Sequence, residues 1–261
     1  MIADCHMHTE FSTDSEADME LMAKTAIALG LDHICFTDHF DMDFPGGEFQ
    51  LDTPAYMEKV MKIRERYQDR IYIGFGVELG MQEHLSERIR NYTAQYPFDY
   101  VIGSMHLLDG KDPYDGEIYK TLGDEQAFRR YFEATAQMLE KDMDINSLGH
   151  LDYVVRYGDY SLYSYKKYAD EIDTILKSLI HRGIALEINT GGLRKMPFTN
   201  PHPDVIRRYR ELGGELITAG ADAHMPEHVG FAFNQVKDLL ESCGFSYYTV
   251  FKQRKPIFLK I

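Results

Sequence analysis

What the chain is short of narrows its class before any motif is considered. Its 261 residues hold three cysteines, Cys5, Cys35 and Cys243, odd in number, far apart and in no Cys-x-x-Cys pair. That pattern builds no disulfide scaffold, and buried, reduced thiols in a reducing compartment are the expectation. Positive charge is also scarce: 28 lysines and arginines face 42 aspartates and glutamates, a formal charge of -14. A surface of that sign repels nucleic-acid phosphates and anionic membranes unless metals or a local basic patch reverse the field. No apolar run approaches the ~20 residues that span a bilayer. Asp4 and His6 interrupt the first apolar residues, so no signal peptide is expected there, and a cytoplasmic location is expected. Low-complexity tracts and long linkers are missing as well. With 44% hydrophobic residues, one core spanning residues 1–261 as a single domain can form without covalent staples.

What is present is a regular alternation of strand-like and helix-like segments. Met1 to Cys5 reads as a short strand. Ser15 with Asp18 forms a capping-box pattern before a helix whose apolar face is Met19, Met22, Ala23, Ala26 and Ile27. Further strands are expected at His33 to Thr37, Ile71 to Val77, Tyr100 to Ser104, Ile145 to Gly149, Ile184 to Ile188 and Leu216 to Ala219, each followed by a helix. Two short strands, near Tyr247 to Phe251 and Ile257 to Leu259, end the chain. Such alternation implies a parallel sheet with helices outside. The expected fold is α/β, a TIM-like (β/α)7 barrel. A doubly wound open sheet is the alternative, but its glycine-rich phosphate fingerprint after strand one is missing. In barrels the functional groups sit on the loops at the carboxyl ends of the strands.

Those ends carry a repeated chemistry: His6 and His8, His39, Glu78, His106, His150, Asn189, then Asp222 with His224. His6 and His8 are two apart in an extended segment, so their imidazoles point the same way. Six of the 11 histidines occupy these ends, while His33, His84, His181, His202 and His228 fall elsewhere. Six imidazoles with the carboxylates of Asp14, Glu78 and Asp222 exceed the ~4 ligands of one zinc and suffice for two or three ions. Ions ~3.5–4 Å apart can share a hydroxide and grip both sides of a displacement at phosphorus. Phosphate monoesters need such help, since their hydrolases accelerate the reaction by up to ~10^21.

Taken together, His6-x-His8, Asp38-His39, Glu78, His106, His150 and Asp222-x-His224 resemble the PHP family, named for its polymerase and histidinol-phosphatase members. The resemblance spans the whole chain and implies a distorted seven-stranded barrel with a trinuclear metal site. Carried over by position, His6, His8, Glu78 and Asp222 would hold one divalent ion. Glu78, His106 and His150 would hold a second, with Glu78 bridging, and Asp14, His39 and His224 a third. Many relatives have histidine where this chain has Asp14, so the third ion is where the chain departs from the family pattern. A loop aspartate bonding nearby backbone amides is the alternative for Asp14. Zinc, iron and manganese all suit such ligands. Glu78, Asp222 and His224 are expected to be catalytic as well as ligating.

Length and motif surroundings resemble the stand-alone histidinol-phosphate phosphatases of the family. That implies hydrolysis of a small phosphate ester, L-histidinol phosphate, by a metal-bound hydroxide. Arg156 and Arg194 lie on loops at the catalytic face, where a guanidinium fork can grip phosphoryl oxygens. Surface ion pairing is the alternative for either. For the ammonium and imidazole of that substrate Phe40, Asp41, Asp43, Tyr114, Asp115 and Tyr163 are available, with residues 40–52 and 107–123 as candidate covers. His202 reads as structural. The rival functions are a PHP-type phosphatase for phosphotyrosine or another small ester, a nuclease, and a non-catalytic metal-binding regulatory module. A substrate panel, single-stranded oligonucleotides and turnover by metal-loaded protein separate them. No motif speaks to oligomeric state.

Overall fold

The computed structural model describes residues 3–261; Met1 and Ile2, the start of the first expected strand, lie outside the described residues. In chain order the elements are α1 (Met19–Ala28), β1 (His33–Phe36), β2 (His39–Phe40), α2 (Thr53–Tyr67), β3 (Tyr72–Gly80), α3 (Ser86–Thr93), β4 (Tyr100–Ser104), α4 (Glu117–Leu122), α5 (Asp124–Met138), β5 (Ser147–Leu148), α6 (Ala169–Arg182), β6 (Ala185–Asn189), α7 (Pro203–Glu211), β7 (Ile217–Gly220) and α8 (Phe233–Ser242). An antiparallel hairpin, β8 (Tyr247–Lys252) and β9 (Lys255–Lys260), ends the chain.

The main sheet runs β1-β3-β4-β5-β6-β7, with β2 also against β3, and every pairing in it is parallel. Helices cover its outer face, and strands buried on both sides read as apolar runs, as in β1. The sheet curls into a distorted TIM-like barrel. Residues 4–8 lie between its two edges: Asp4 bridges Ile34 of β1, and Met7 bridges Ala223 just past β7. Among the described residues of the first expected strand there is one isolated bridge, at Asp4, and a second follows it at Met7. The Asp4 carboxylate accepts from the Ala221 N–H at 3.0 Å and the Gly230 N–H at 2.9 Å. Gly220 permits the close approach, because a β-carbon there would fall 2.2 Å from His6 Cβ.

Three other boundaries differ from the sequence pattern. Asp18 and Glu10 cap α1, accepting from the Leu21 N–H at 2.8 Å and the Met19 N–H at 2.9 Å, whereas the Ser15 hydroxyl donates to the His224 carbonyl at 3.0 Å. Strand β3 runs on to Gly80 because β2 pairs with Glu78 and Leu79, which puts Glu78 inside a strand with neighbours on both sides. Residues 107–123 contain α4 as well as loop.

The hairpin turns through Gln253 and Arg254, both left-handed at φ 48° and 64°, the geometry of a two-residue turn that follows the strand twist. Phe251 stacks on Tyr100 at 5.2 Å, and the Gln253 N–H donates to Asp99 at 2.9 Å. The hairpin thus sits against the amino-terminal end of β4, leaving the carboxyl ends of the strands free for chemistry. All three cysteines are unpaired and buried, and no helix among the described residues is long and apolar enough to cross a membrane.

Candidate metal centre

Nine side chains named from the sequence meet at the carboxyl ends of the strands. Glu78 is the hub. Its Oε2 lies 3.2 Å from His6 Nε2, 3.5 Å from His8 Nε2 and 3.0 Å from His39 Nδ1. Its Oε1 lies 2.9 Å from His150 Nε2 and 3.3 Å from His106 Nε2. Asp222 Oδ1 is 3.4 Å from His8 Nε2 and 3.6 Å from His6 Nε2. Nearer solvent, Asp14 Oδ2 is 3.1 Å from His224 Nε2 and 3.7 Å from His39 Nε2, so Asp14 faces imidazoles instead of backbone amides. Ligand atoms bound tetrahedrally at ~2.0–2.1 Å stand roughly 3.4 Å apart. The spacings here are of that size.

A second observation supports the fit. Glu78 Oε2 and His39 Nδ1 are buried and lack a hydrogen-bond partner, although they are 3.0 Å from each other. Leaving a buried polar atom unmatched costs about 1–3 kcal/mol, and a cation matches both. The donor set therefore fits two or three divalent ions, with the two oxygens of Glu78 facing different groups of imidazoles. His8 also stacks between His39 and His224, at 4.1 Å from each, which ties the outer group to the inner one.

An outer layer aims the imidazoles. His6 Nδ1–H donates to Glu187 Oε1 at 2.6 Å and His106 Nδ1–H to Asp41 Oδ2 at 2.6 Å. His8 Nδ1–H donates to Ser12 Oγ and His224 Nδ1–H to the Asp222 carbonyl, each at 3.0 Å. Each bond fixes a tautomer whose Nε2 points inward. Sequence reasoning missed Glu187 and Ser12 and offered Asp41 only as a substrate contact. A signal for Glu187 existed: it is the one carboxylate within the apolar run Ile184 to Ile188.

Charge follows the geometry. Burial alone would raise the Glu78 carboxyl, but His6, His39 and His106 hold it well below the ordinary carboxylate range. Asp222 is depressed against the same burial by His6, His8 and Arg156. Both acids depend on positive charge to remain ionised at 0% and 5% exposure. The Asp222 backbone is itself unusual, with a left-handed φ of 55°, a conformation that costs a non-glycine residue about 1–3 kcal/mol. Arg194 braces it, donating to the Ala221 carbonyl at 2.9 Å and the Asp222 carbonyl at 3.0 Å.

Beside the cluster opens a cavity of about 390 Å³, walled in part by Phe44, Phe49, Tyr114, Tyr153, Tyr157 and Arg156. Arg156 donates to Asn200 Oδ1 at 3.1 Å, Asp222 Oδ2 at 3.0 Å and Asn189 Oδ1 at 3.2 Å. Three of its N–H groups are held, and two of the five that arginine carries are left for a ligand. Arg194 is not part of this wall, and two of its N–H groups go to the two carbonyls. Of the candidates for the substrate's polar end, Asp41 and Tyr114 line the cavity. Asp43 instead pairs with His84 and Arg88, Phe40 packs on Tyr92, Tyr163 is buried, and Asp115 is exposed outside the cavity. His202 caps α7, its Nδ1 accepting from the Asp204 N–H at 3.1 Å.

Residues 4–191 match the model of the PHP domain family. The chain belongs to the PHP family. Within it, the chain is 35% identical over 264 residues to a probable histidinol-phosphatase of Clostridium acetobutylicum, covering 100% of this chain and 97% of the relative. It is 34% identical to a histidinol-phosphatase of Lactococcus lactis subsp. lactis, covering 97% of this chain and 95% of that one. The fold matches, at a TM-score of 0.90 and 32% identity over 98% of both chains, the crystal structure of a histidinol phosphate phosphatase from Lactococcus lactis subsp. lactis complexed with zinc, L-histidinol and phosphate. The PHP model ends at Gly191, before Asp222 and His224, but these full-length likenesses extend over β7 and the turn that carries both.

Proposed function

We propose that the chain is a histidinol-phosphate phosphatase, hydrolysing L-histidinol phosphate to L-histidinol and inorganic phosphate, and that residues 1–261 act as one cytoplasmic phosphoesterase domain in histidine biosynthesis. One observation carries the reading: donors for two or three ions and a buried, fork-held Arg156 share one cavity. The full-length relatives named for this activity supply the substrate. The unpaired, buried thiols suit a reducing cytoplasm.

In the reaction the oxygen of water bonds to phosphorus, the ester P–O bond breaks, and a proton from water ends on the departing alkoxide. Divalent ions held by His6, His8, Glu78, Asp222, His106, His150, Asp14, His39 and His224 would supply hydroxide at neutral pH and neutralise phosphoryl charge. The chain's own groups place and screen. Arg156 presents its two spare N–H groups to the phosphoryl oxygens, already oriented by Asn189, Asn200 and Asp222. Arg194 braces the Ala221–Asp222 turn beside that position with two of its N–H groups. Phe44, Phe49 and Tyr153 narrow the cavity and limit water around the transferring group.

Steady-state hydrolysis by protein of measured metal content tests this. Histidinol phosphate is expected to be preferred over phosphotyrosine and p-nitrophenyl phosphate. His8→Ala is expected to lose both metal and kcat/KM by more than the roughly 10–100-fold that removing an outer partner costs. Equal turnover of all three esters would replace the reading with a broad phosphomonoesterase. No turnover by fully metallated protein would leave a binding module.

A further inference from the structure

Two of the three oxygens that hold Arg156 belong to side-chain amides: Asn200 Oδ1 at Nε and Asn189 Oδ1 at a terminal nitrogen. An amide can face either way, because its oxygen and its NH2 group differ little in size. Presented by its oxygen it holds a guanidinium, and presented by its NH2 group it repels one. Both asparagines are wholly buried, so water does not make good a wrong orientation.

Behind each amide stands a buried carboxylate. Asp152 Oδ1 accepts from Asn200 Nδ2 at 2.6 Å, and its Oδ2 accepts from the His202 backbone N–H at 2.9 Å. Glu187 Oε2 accepts from Asn189 Nδ2 at 3.2 Å. A carboxylate only accepts, so each takes the NH2 end of its asparagine and leaves the oxygen for Arg156. The opposite orientation would set two oxygens together at Asp152 and two donors together at Arg156. The asparagines also fix each other: the Asn189 N–H donates to the Asn200 carbonyl at 2.7 Å, and the Asn200 N–H to the Asn189 carbonyl at 2.9 Å. Gly191 and Gly192 leave room for both amide oxygens, since β-carbons there would fall 2.8 Å from Asn189 Oδ1 and 2.6 Å from Asn200 Oδ1. Glu187 also aims His6, whereas the Asp152 carboxylate bonds Asn200 and His202 and none of the nine metal-binding donors.

Resting on the phosphatase reading, we propose that Asp152 is a positioning residue for phosphate binding: through Asn200 it keeps an oxygen against Arg156 Nε, and so holds the guanidinium with its two spare N–H groups free for the phosphoryl oxygens. Without it the Asn200 amide is free to turn, and Arg156 loses one of the three contacts that aim it.

Binding of inorganic phosphate to metal-loaded protein, read by calorimetry, tests this without relying on turnover. Charge alone predicts that Asp152→Ala binds phosphate more tightly, because an anion near the site is removed. The positioning role predicts the reverse. The dissociation constant is expected to rise roughly 10-fold, the size usual for residues coupled in one hydrogen-bond network, with metal content unchanged. In an Arg156→Ala background, adding Asp152→Ala is expected to change phosphate affinity by less than about twofold. Asn200→Ala removes the link and leaves Asp152 in place; it is expected to repeat both results, and it carries the test should Asp152→Ala not fold. Tighter or unchanged phosphate binding in Asp152→Ala, or the same loss with and without Arg156, overturns the proposal. Loss of bound metal overturns it as well, since Asp152 would then support the cluster instead of Arg156. If phosphate binding follows this pattern but the unaltered protein does not prefer histidinol phosphate, the substrate reading falls and the Asp152 proposal stands. If that preference exists and the two losses add, only the Asp152 proposal falls.

Discussion

Glu187 shows how much a single side chain can organise. Its Oε1 accepts from His6 at 2.6 Å, and its Oε2 accepts from the His150 backbone N–H at 2.8 Å and from Asn189 at 3.2 Å. One buried carboxylate thus braces two imidazole-bearing residues 144 positions apart in the chain, His6 and His150. Gly220 leaves it room, since a β-carbon there would meet its Oε1 at 2.9 Å. Glu187→Gln keeps the size and weakens the acceptor. Its expected effect is a loss of metal affinity of roughly 10–100-fold in chelator competition, with kcat recovering when metal is in excess. Unchanged affinity would reduce Glu187 to packing. The nine donors were legible in the sequence because they stand at strand ends, where barrels place their chemistry. Glu187 was missed because it stands inside a strand, where side chains usually pack, and only its charge within an apolar run marked it. Nor could spacing show that Arg194 braces the Asp222 turn while Arg156 faces the cavity; hydrogen bonds across 27 to 66 residues decide that.

At the scale of elements, β1 and β3 are locked by more than their ladder. His33 opens β1 opposite Tyr72 of β3, with the rings 4.6 Å apart, and is 6% exposed with an unpartnered Nε2. Burial lowers its pKa to about 3, Lys252 and Arg64 press in the same direction, and Asp99 opposes them. In the unfolded chain the same imidazole titrates near 6.5. Below that pH the unfolded state binds the extra proton, so stability is full above about 6.5 and drains away as pH falls towards 3. His33→Phe removes the titration and keeps a ring against Tyr72. The stability difference between the two proteins is expected to shift by up to about 1.4 kcal/mol per pH unit between pH 6.5 and 4, measured by denaturant unfolding. A pH-independent difference would show that His33 does not titrate differently on folding. The helices and most strands were legible from apolar periodicity. β2 and α4 were not: the two-residue β2 is held by β3 and leaves no pattern of its own.

The whole molecule divides its labour between two ends. The hairpin packs at the amino-terminal end of β4, and the donors and Arg156 gather at the carboxyl ends. Barrel class and the location of the site were readable because seven strands repeat one rule. The closing of the curl by residues 4–8 was not, since it depends on Gly220 admitting His6. The proposed function rests on nine distant residues acting as a single cation-binding cluster. The most direct test is histidinol phosphate hydrolysis by chelated protein as zinc or manganese is titrated back, with bound metal counted per chain. Activity near zero without metal, rising to a plateau at two to three ions per chain, is the predicted result. Full activity from protein with almost no bound metal would contradict it.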